Sequence, residues 1–130
     1  MDNEISRSAH NAALKVKTKE ELLTITASST IDTVAELIPA GAIVLGVGVF
    51  VKELIPTAAT FTVKGKDSST EFNEGTNVAV AKGTRNRGTK NCPYYSAAAE
   101  KVRITPNTTP GTGGKVRIAV TYLDLSAPNR

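Results

Sequence analysis

The stretch from Ile38 to Val51, IPAGAIVLGVGVFV, is the most apolar in the chain and constrains the fold more than any other feature. Its residues alternate with period two and many are β-branched, a pattern that favours a strand over a helix. Two glycines and crowded valines would also destabilise a helix here. Fourteen residues that include Pro39 are too few for a transmembrane helix, which needs about 20 apolar residues. We therefore expect a buried central strand and no membrane partner.

The two faces of this expected strand differ. The alternation predicts one face with Ile43, Leu45, Val47, Val49 and Val51, and an opposite face with Ala42, Val44, Gly46, Gly48 and Phe50. Gly46 and Gly48 leave the second face bare at two successive positions, and a bare face lets another backbone come close. We expect a core on the first face and a neighbouring sheet or subunit on the second.

The rest of the chain carries further strand signals. KVRIAVTYLDL alternates cleanly, and a strand that begins at Val102 precedes it across a turn from Pro106 to Gly114, which predicts a long-looped antiparallel hairpin. Shorter strand signals lie in EELLTITAS, TIDTVAEL, ATFTVKG and TNVAVAKG. Seven or eight short strands at this spacing indicate a sandwich, jelly roll or barrel. We expect an all-β fold, an antiparallel β-sandwich or jelly roll.

Two segments stand outside the strand pattern. Residues 1–17 have little apolar surface, so we expect an extended N-terminal arm there and a single β-sandwich domain over residues 18–130. A polar arm frays unless something holds it, and we expect a neighbouring copy or the surface beneath to do so. The segment from Gly83 to Glu100 is long and irregular, which is typical of functional or disordered loops.

Composition limits the classes of protein. Aromatic residues make up 5% and tryptophan is absent, so we expect a core of Val, Ile, Leu and Ala together with Phe50, Phe61 and Phe72. The net charge of +4 suits docking on an acidic surface. Basic and aromatic residues do not interleave, so we expect no nucleic-acid partner. A single cysteine excludes an internal disulfide, and no secretory signal opens the sequence, so we expect synthesis in a reducing cytoplasm.

Residues that could take part in catalysis or metal binding are few and scattered. His10 is the only histidine and lies in the expected arm, and Cys92 has no histidine near it in sequence. The acidic group Asp67, Glu71 and Glu74 is more typical of a solvated turn than of a calcium site. GVGVFV lacks the third glycine of a dinucleotide fingerprint. We therefore expect no catalytic residues, no metal and no cofactor.

Interface residues are predicted from charge, aromaticity and the bare strand face. Lys82, Arg85, Arg87 and Lys90 form the one local concentration of positive charge. Such a group is either solvated or grips phosphate or an acidic neighbouring protein. The candidate interface residues are Arg7, Lys15, Lys17, Gly46, Gly48, Arg85, Arg87, Lys90, Tyr94 and Tyr95.

The order of elements, from ELLTITASSTIDTVAELIPAGAIVLGVGVFV through ATFTVKGK and VAVAKGT to AEKVRITPNTTPGTGGKVRIAVTYLDL, resembles the small all-β capsid decoration (cement) proteins of tailed bacteriophages and related tail and fibre modules. The resemblance runs from about Glu20 to Leu125. It implies a jelly-roll or sandwich domain that forms a homotrimer and binds the major capsid protein on the virion exterior, over junctions between capsid subunits. A tail or fibre component is the alternative. A carbohydrate-binding module is less favoured, because sugar binding usually needs aromatic platforms.

Overall fold

The computed structural model describes residues 15–124, which form nine β-strands and no helix. The strands are β1 (Lys15–Thr24), β2 (Ile31–Asp32), β3 (Ala42–Glu53), β4 (Thr60–Gly65), β5 (Val78–Ala79), β6 (Arg85–Asn86), β7 (Tyr94–Ser96), β8 (Val102–Pro106) and β9 (Lys115–Asp124). Within these residues there is no helix long and apolar enough to cross a membrane. The expected all-β class is confirmed.

The strands form two antiparallel sheets. The first has the order β1-β9-β3-β6, with β7 also paired to β3, and the second has the order β2-β8-β4-β5. The chain therefore pairs its first strand with its last, its second with β8, its third with β6 and β7, and its fourth with its fifth. Nested pairing of this kind, shared between two sheets, is the jelly-roll arrangement. The predicted antiparallel sandwich or jelly roll is confirmed. The predicted hairpin is wrong: β8 and β9 do not pair, because the turn between them crosses from the second sheet to the first.

One apolar core fills the space between the sheets. Its largest fully buried side chains include Phe61, Phe72, Ile104 and Ile118, and valines and isoleucines supply most of the rest. Strands β4, β8 and β9 alternate buried with half-buried residues, because one face of each strand meets the core. Phe50 was expected in this core and is only half-buried, because its side chain lies on the opposite face of the sheet.

A β-bulge in β3 changes which residues face the core. The register to β9 shifts between Val44 and Gly46, so Leu45 is an extra residue without a partner. Ala42 and Val44 are buried before the bulge, and Val47, Val49 and Val51 are buried after it. The predicted face is therefore correct for the last three valines and wrong for Ile43 and Leu45, which are half-buried. One extra residue reverses the inward and outward positions of a strand.

The segment expected to be an irregular loop forms the edge of the first sheet. β6 and β7 both lie within Gly83–Glu100 and pair with β3. Between them the backbone N–H of Val47 donates to the carbonyl of Gly88 at 3.0 Å. A Cβ atom on Gly46 would lie 3.3 Å from the carbonyl oxygen of Arg87. The backbone that approaches the bare glycine positions therefore belongs to the chain itself.

The boundary of the expected N-terminal arm falls inside β1. Lys15, Val16 and Lys17 pair with Asp124, Leu123 and Tyr122 of β9, so these three residues belong to the sheet. Pairing satisfies the hydrogen-bonding groups of their backbone. The low apolar content of the segment gives no sign of this pairing. The rest of the expected arm, residues 1–14, lies outside the described residues, and so do Arg7 and His10.

Candidate protein-binding surface

The outer face of the first sheet, the face turned away from the core, carries a row of apolar side chains. The register makes Val16, Leu123, Ile43 and Tyr95 direct neighbours across β1, β9, β3 and β7. Val16 is 65% exposed and Tyr95 is 58% exposed. We call these four residues the apolar row. Solvent-facing rows of large apolar side chains are typical of surfaces that bind another protein.

Beyond the apolar row, strands β9 and β3 carry small residues on the outer face. The next row consists of Thr18, Thr121 and Gly46, and the one after it of Glu20, Ala119 and Gly48. Gly48 and Ala119 are paired at the middle of the sheet, where both positions lack a long side chain. The outer face therefore has a shallow depression at its centre.

A fourth row with larger side chains, two of them positively charged, borders this central depression. Leu22, Arg117, Phe50 and Arg85 are neighbours across β1, β9, β3 and β6. The guanidinium carbon of Arg85 lies 4.2 Å from the centre of the Phe50 ring, and the Lys52 ammonium lies 5.1 Å from it. Both distances are in the range of a cation–π contact. We call Phe50, Lys52, Arg85 and Arg117 the Phe50 cluster.

A hollow of about 300 Å³ lies beside the Phe50 cluster. Its lining includes Gly48, Ala119, Phe50, Arg85, Arg87 and Arg117. The small residues leave the space open, and the arginines supply hydrogen-bond donors at its sides. The hollow is open to solvent on the outer face, so a side chain of another molecule can reach it.

The positive charges around this hollow are only partly balanced. Arg117 Nη1 lies 3.3 Å from Glu20 Oε1, and Arg87 Nη2 lies 3.6 Å from Glu74 Oε1. The Thr89 hydroxyl donates a hydrogen bond to Glu74 and, with a smaller contribution from Arg87, lowers the pKa of that carboxyl below its usual value. Arg85 and Lys52 form no ion pair within residues 15–124.

The structure brings together some of the predicted interface residues. Gly46, Gly48, Arg85 and Arg87 meet on the outer face, and Tyr95 belongs to the apolar row. Sequence reasoning missed Val16, Ile43, Leu123, Phe50 and Arg117 as members of this surface. Leu123 offered a signal, since it shares the solvent-facing positions of β9 with Lys115 and Arg117.

The other predicted interface residues lie elsewhere. Tyr94 faces the core, where its ring meets Phe72 edge-on at 5.7 Å. Lys17 Nζ lies 2.8 Å from Asp124 Oδ2, and this hydrogen bond raises the pKa of Lys17. Lys90 pairs with Glu71. Lys15 is exposed at the start of β1.

The residues considered for catalysis or metal binding do not converge. Cys92 is half-buried, and burial raises the pKa of its thiol, which makes it a poorer nucleophile at neutral pH. Glu71 and Glu74 each have a basic partner, and Asp67 is exposed in a turn. In the part of the chain that the structure describes, no group of three His, Cys, Asp or Glu side chains is placed to hold a metal ion.

Comparisons with known proteins find similarity among solved structures. No protein-family model matches the chain, and no curated protein matches it. Among solved structures, the chain is similar to a chain of the cyanophage Pam1 capsid asymmetric unit, with 25% sequence identity over 85% of this chain and 84% of that chain and a TM-score of 0.48. That structure is of a phage capsid; decoration of a shell and trimer formation stay predictions.

Proposed function

We propose that this chain is a structural protein of a phage virion that decorates the capsid shell from outside and stabilises it, without a catalytic role. The observation that carries the proposal is the apolar row on the outer face of the first sheet. The outer face of a sandwich sheet is normally polar, because it meets water. Four neighbouring apolar side chains there support a protein partner that covers them.

The dimensions of the outer face fit a protein interface. Strand β9 has 10 residues, which at about 3.4 Å per residue gives a length of about 34 Å. Four strands at about 4.8 Å spacing give a width of about 19 Å. The resulting area of about 650 Å² is close to the roughly 800 Å² that each partner contributes to a standard interface. A face of this extent supports attachment to a surface more readily than capture of a small molecule.

The N-terminal residues extend this contact in the proposed function. Val16 belongs to the apolar row, so residues 1–14 join the domain beside that row. We propose that they contact the same neighbour, which is the shell or another copy of the chain in a homotrimer. Removal of residues 1–14 keeps β1 intact and is expected to weaken attachment while leaving the domain folded.

The number of copies per virion tests the proposal and separates it from its alternative. A decoration protein is present in hundreds of copies, whereas a tail or fibre component is present in a handful. Gel densitometry against the major capsid protein measures this number directly. Purified chain added to undecorated capsids is expected to co-sediment with them until the sites are filled. Absence from the particle, or failure to bind it, would contradict the proposal.

A further inference from the structure

We propose that the Phe50 cluster is a docking site for a carboxylate side chain on an acidic segment of a protein partner. The inference deepens the proposed function, because it names the chemistry that a partner presents to the outer face. It rests on the charges and the shape of the hollow, which are separate from the apolar row.

Two cations of the cluster converge on one ring without a carboxylate between them. Arg85 and Lys52 lie 4.2 and 5.1 Å from the centre of the Phe50 ring, and neither forms an ion pair within the described residues. Each cation is attracted to the electron-rich ring, which places two positive charges around Phe50. A carboxylate beside the ring neutralises this uncompensated charge and accepts charge-assisted hydrogen bonds.

The hollow gives that carboxylate a defined place. Gly48 and Ala119 leave a space of about 300 Å³ next to Phe50, large enough for an acidic side chain and part of its backbone. Arg117 on β9 and Arg85 on β6 are the neighbours of Phe50 in the sheet register, and both line the hollow. Guanidinium groups match the planar geometry of a carboxylate.

The surroundings favour a protein carboxylate over a nucleic acid. Glu20, Glu74 and Glu53 pair with Arg117, Arg87 and Lys115 around the cluster. These acids repel a phosphate backbone that continues across the sheet. Because nucleic-acid binding needs several adjacent phosphate contacts, this arrangement disfavours it. Arg85 and Lys52 also lie over the Phe50 ring, so a nucleic-acid base would have to displace them to stack on it.

The probes are two capped peptides, Gly-Gly-Glu-Glu-Gly-Gly and Gly-Gly-Gln-Gln-Gly-Gly, and trithymidylate without terminal phosphates. The two phosphodiesters of this trinucleotide carry the same two negative charges as the first peptide. Each is titrated into the full chain while backbone amide shifts are followed by NMR. We expect the glutamate peptide to shift the signals of Gly48, Phe50, Arg85 and Arg117 saturably. The glutamine peptide is expected to leave them in place, and trithymidylate to bind at least severalfold more weakly.

Two variants that lose the same charge test the location of the site. Arg85→Gln removes a cluster cation, and we expect it to weaken binding of the glutamate peptide about fivefold, the upper range for one exposed ion pair. Lys19→Gln is the control, because Lys19 is exposed on β1 and is paired with the inward-facing Val120. It is expected to change binding less than twofold. Thermal melts establish that both variants are folded.

Several results would overturn the inference: no binding of the glutamate peptide, equal binding of the two peptides, equal loss in the two variants, or tighter binding of trithymidylate at the same signals. The capsid assay separates this inference from the proposed function. Wild-type chain that fails to bind capsids but binds the glutamate peptide through Arg85 contradicts only the proposed function. Arg85→Gln protein that binds capsids normally but has lost no affinity for the peptide contradicts only the docking site.

Discussion

A Cβ atom on Gly88 would lie 1.8 Å from the carbonyl oxygen of Val47, where the edge segment of the first sheet meets the middle of β3. Gly88 also has a φ of 68°, and its carbonyl accepts a hydrogen bond from the N–H of Val47 at 3.0 Å. Glycine is the residue that tolerates both the angle and the close approach. This contact joins the edge segment, which carries Arg85 and Arg87, to β3.

Gly88→Ala is therefore expected to lower the free energy of unfolding by about 3 kcal/mol, because it adds a backbone clash to an unfavourable φ. Gly41→Ala is the matched control. Gly41 has a φ of 76° but no atom within 4 Å of its Cβ position, so only the conformational cost of about 1 kcal/mol applies. Urea denaturation of both variants measures the difference, and equal losses would show that the clash with Val47 is not important.

Substitutions at the two bare positions of β3 are expected to differ. A Cβ atom on Gly48 would meet its nearest neighbour, the carbonyl oxygen of Asn86, at an ordinary 3.6 Å, whereas the corresponding distance from Gly46 to Arg87 is 3.3 Å. Gly48→Leu is thus expected to fold with a melting temperature within a few degrees of wild type and to fill the hollow, which weakens attachment to capsids. Gly46→Leu is expected to displace the edge segment and melt at a lower temperature. The reverse order of melting temperatures would contradict this account.

Glu100 stabilises the turn after β4 with a buried carboxylate. Its side chain is 3% exposed, and Oε2 accepts hydrogen bonds from the backbone N–H groups of Asp67 and Ser68 at 2.9 and 2.7 Å. Glu100→Ala leaves both donors without this acceptor and is expected to cost about 2 kcal/mol of unfolding free energy. Glu100→Gln keeps one acceptor oxygen and is expected to cost less. Thermal denaturation compares them; equal loss in the two variants would show that the acceptor is unimportant.

Asp32 and Arg103 join β2 to β8 through two hydrogen bonds, from Nε to Oδ1 at 2.7 Å and from Nη2 to Oδ2 at 3.1 Å. The hydrogen bond from Arg103 lowers the pKa of Asp32 below its usual value. Because the folded pKa lies below the unfolded one, the stabilisation is complete above the unfolded pKa and is lost as the pH falls through the folded pKa.

Asp32→Asn is expected to lower the free energy of unfolding at pH 7 by about 1 kcal/mol, since both side chains are partly exposed. The difference from wild type is expected to shrink as the pH falls below about 4. Urea denaturation at a series of pH values measures this. A difference that stays constant down to pH 2 would show that the ion pair does not contribute.

The sequence predicted the fold class and much of the core because alternation is a local signal. The inward positions of β9 and of β3 after Gly46 followed from period two alone. The bulge at Leu45 was not readable, because it is defined by the register to β9, more than seventy residues later in the chain. The pairing of β6 and β7 with β3 was missed for the same reason, since irregular local sequence carries no sign of a distant partner.

The candidate binding surface was predicted only in part because it is assembled from distant strands. Arg85 and Arg87 were found through their local charge, and Gly48 through the bare strand face. Arg117 joins them only through the sheet register. The apolar row likewise combines side chains from residue 16 to residue 123, which only the sheet register brings together.

The most direct test of the proposed attachment removes the two ends of the apolar row. The double variant Val16→Ser/Tyr95→Ser changes the two most exposed members of the row. Val34→Ser is the control, because Val34 is 83% exposed and lies after β2, outside the outer face. Each protein is added in increasing amounts to undecorated capsids, which are sedimented, and bound protein is measured. The double variant loses two apolar side chains that the proposed interface buries, so we expect it to bind at least about tenfold more weakly. Its melting temperature is expected to be unchanged, and the control is expected to bind as tightly as wild type. Wild-type protein that does not sediment with capsids, or a double variant that binds as tightly as wild type, would contradict the account.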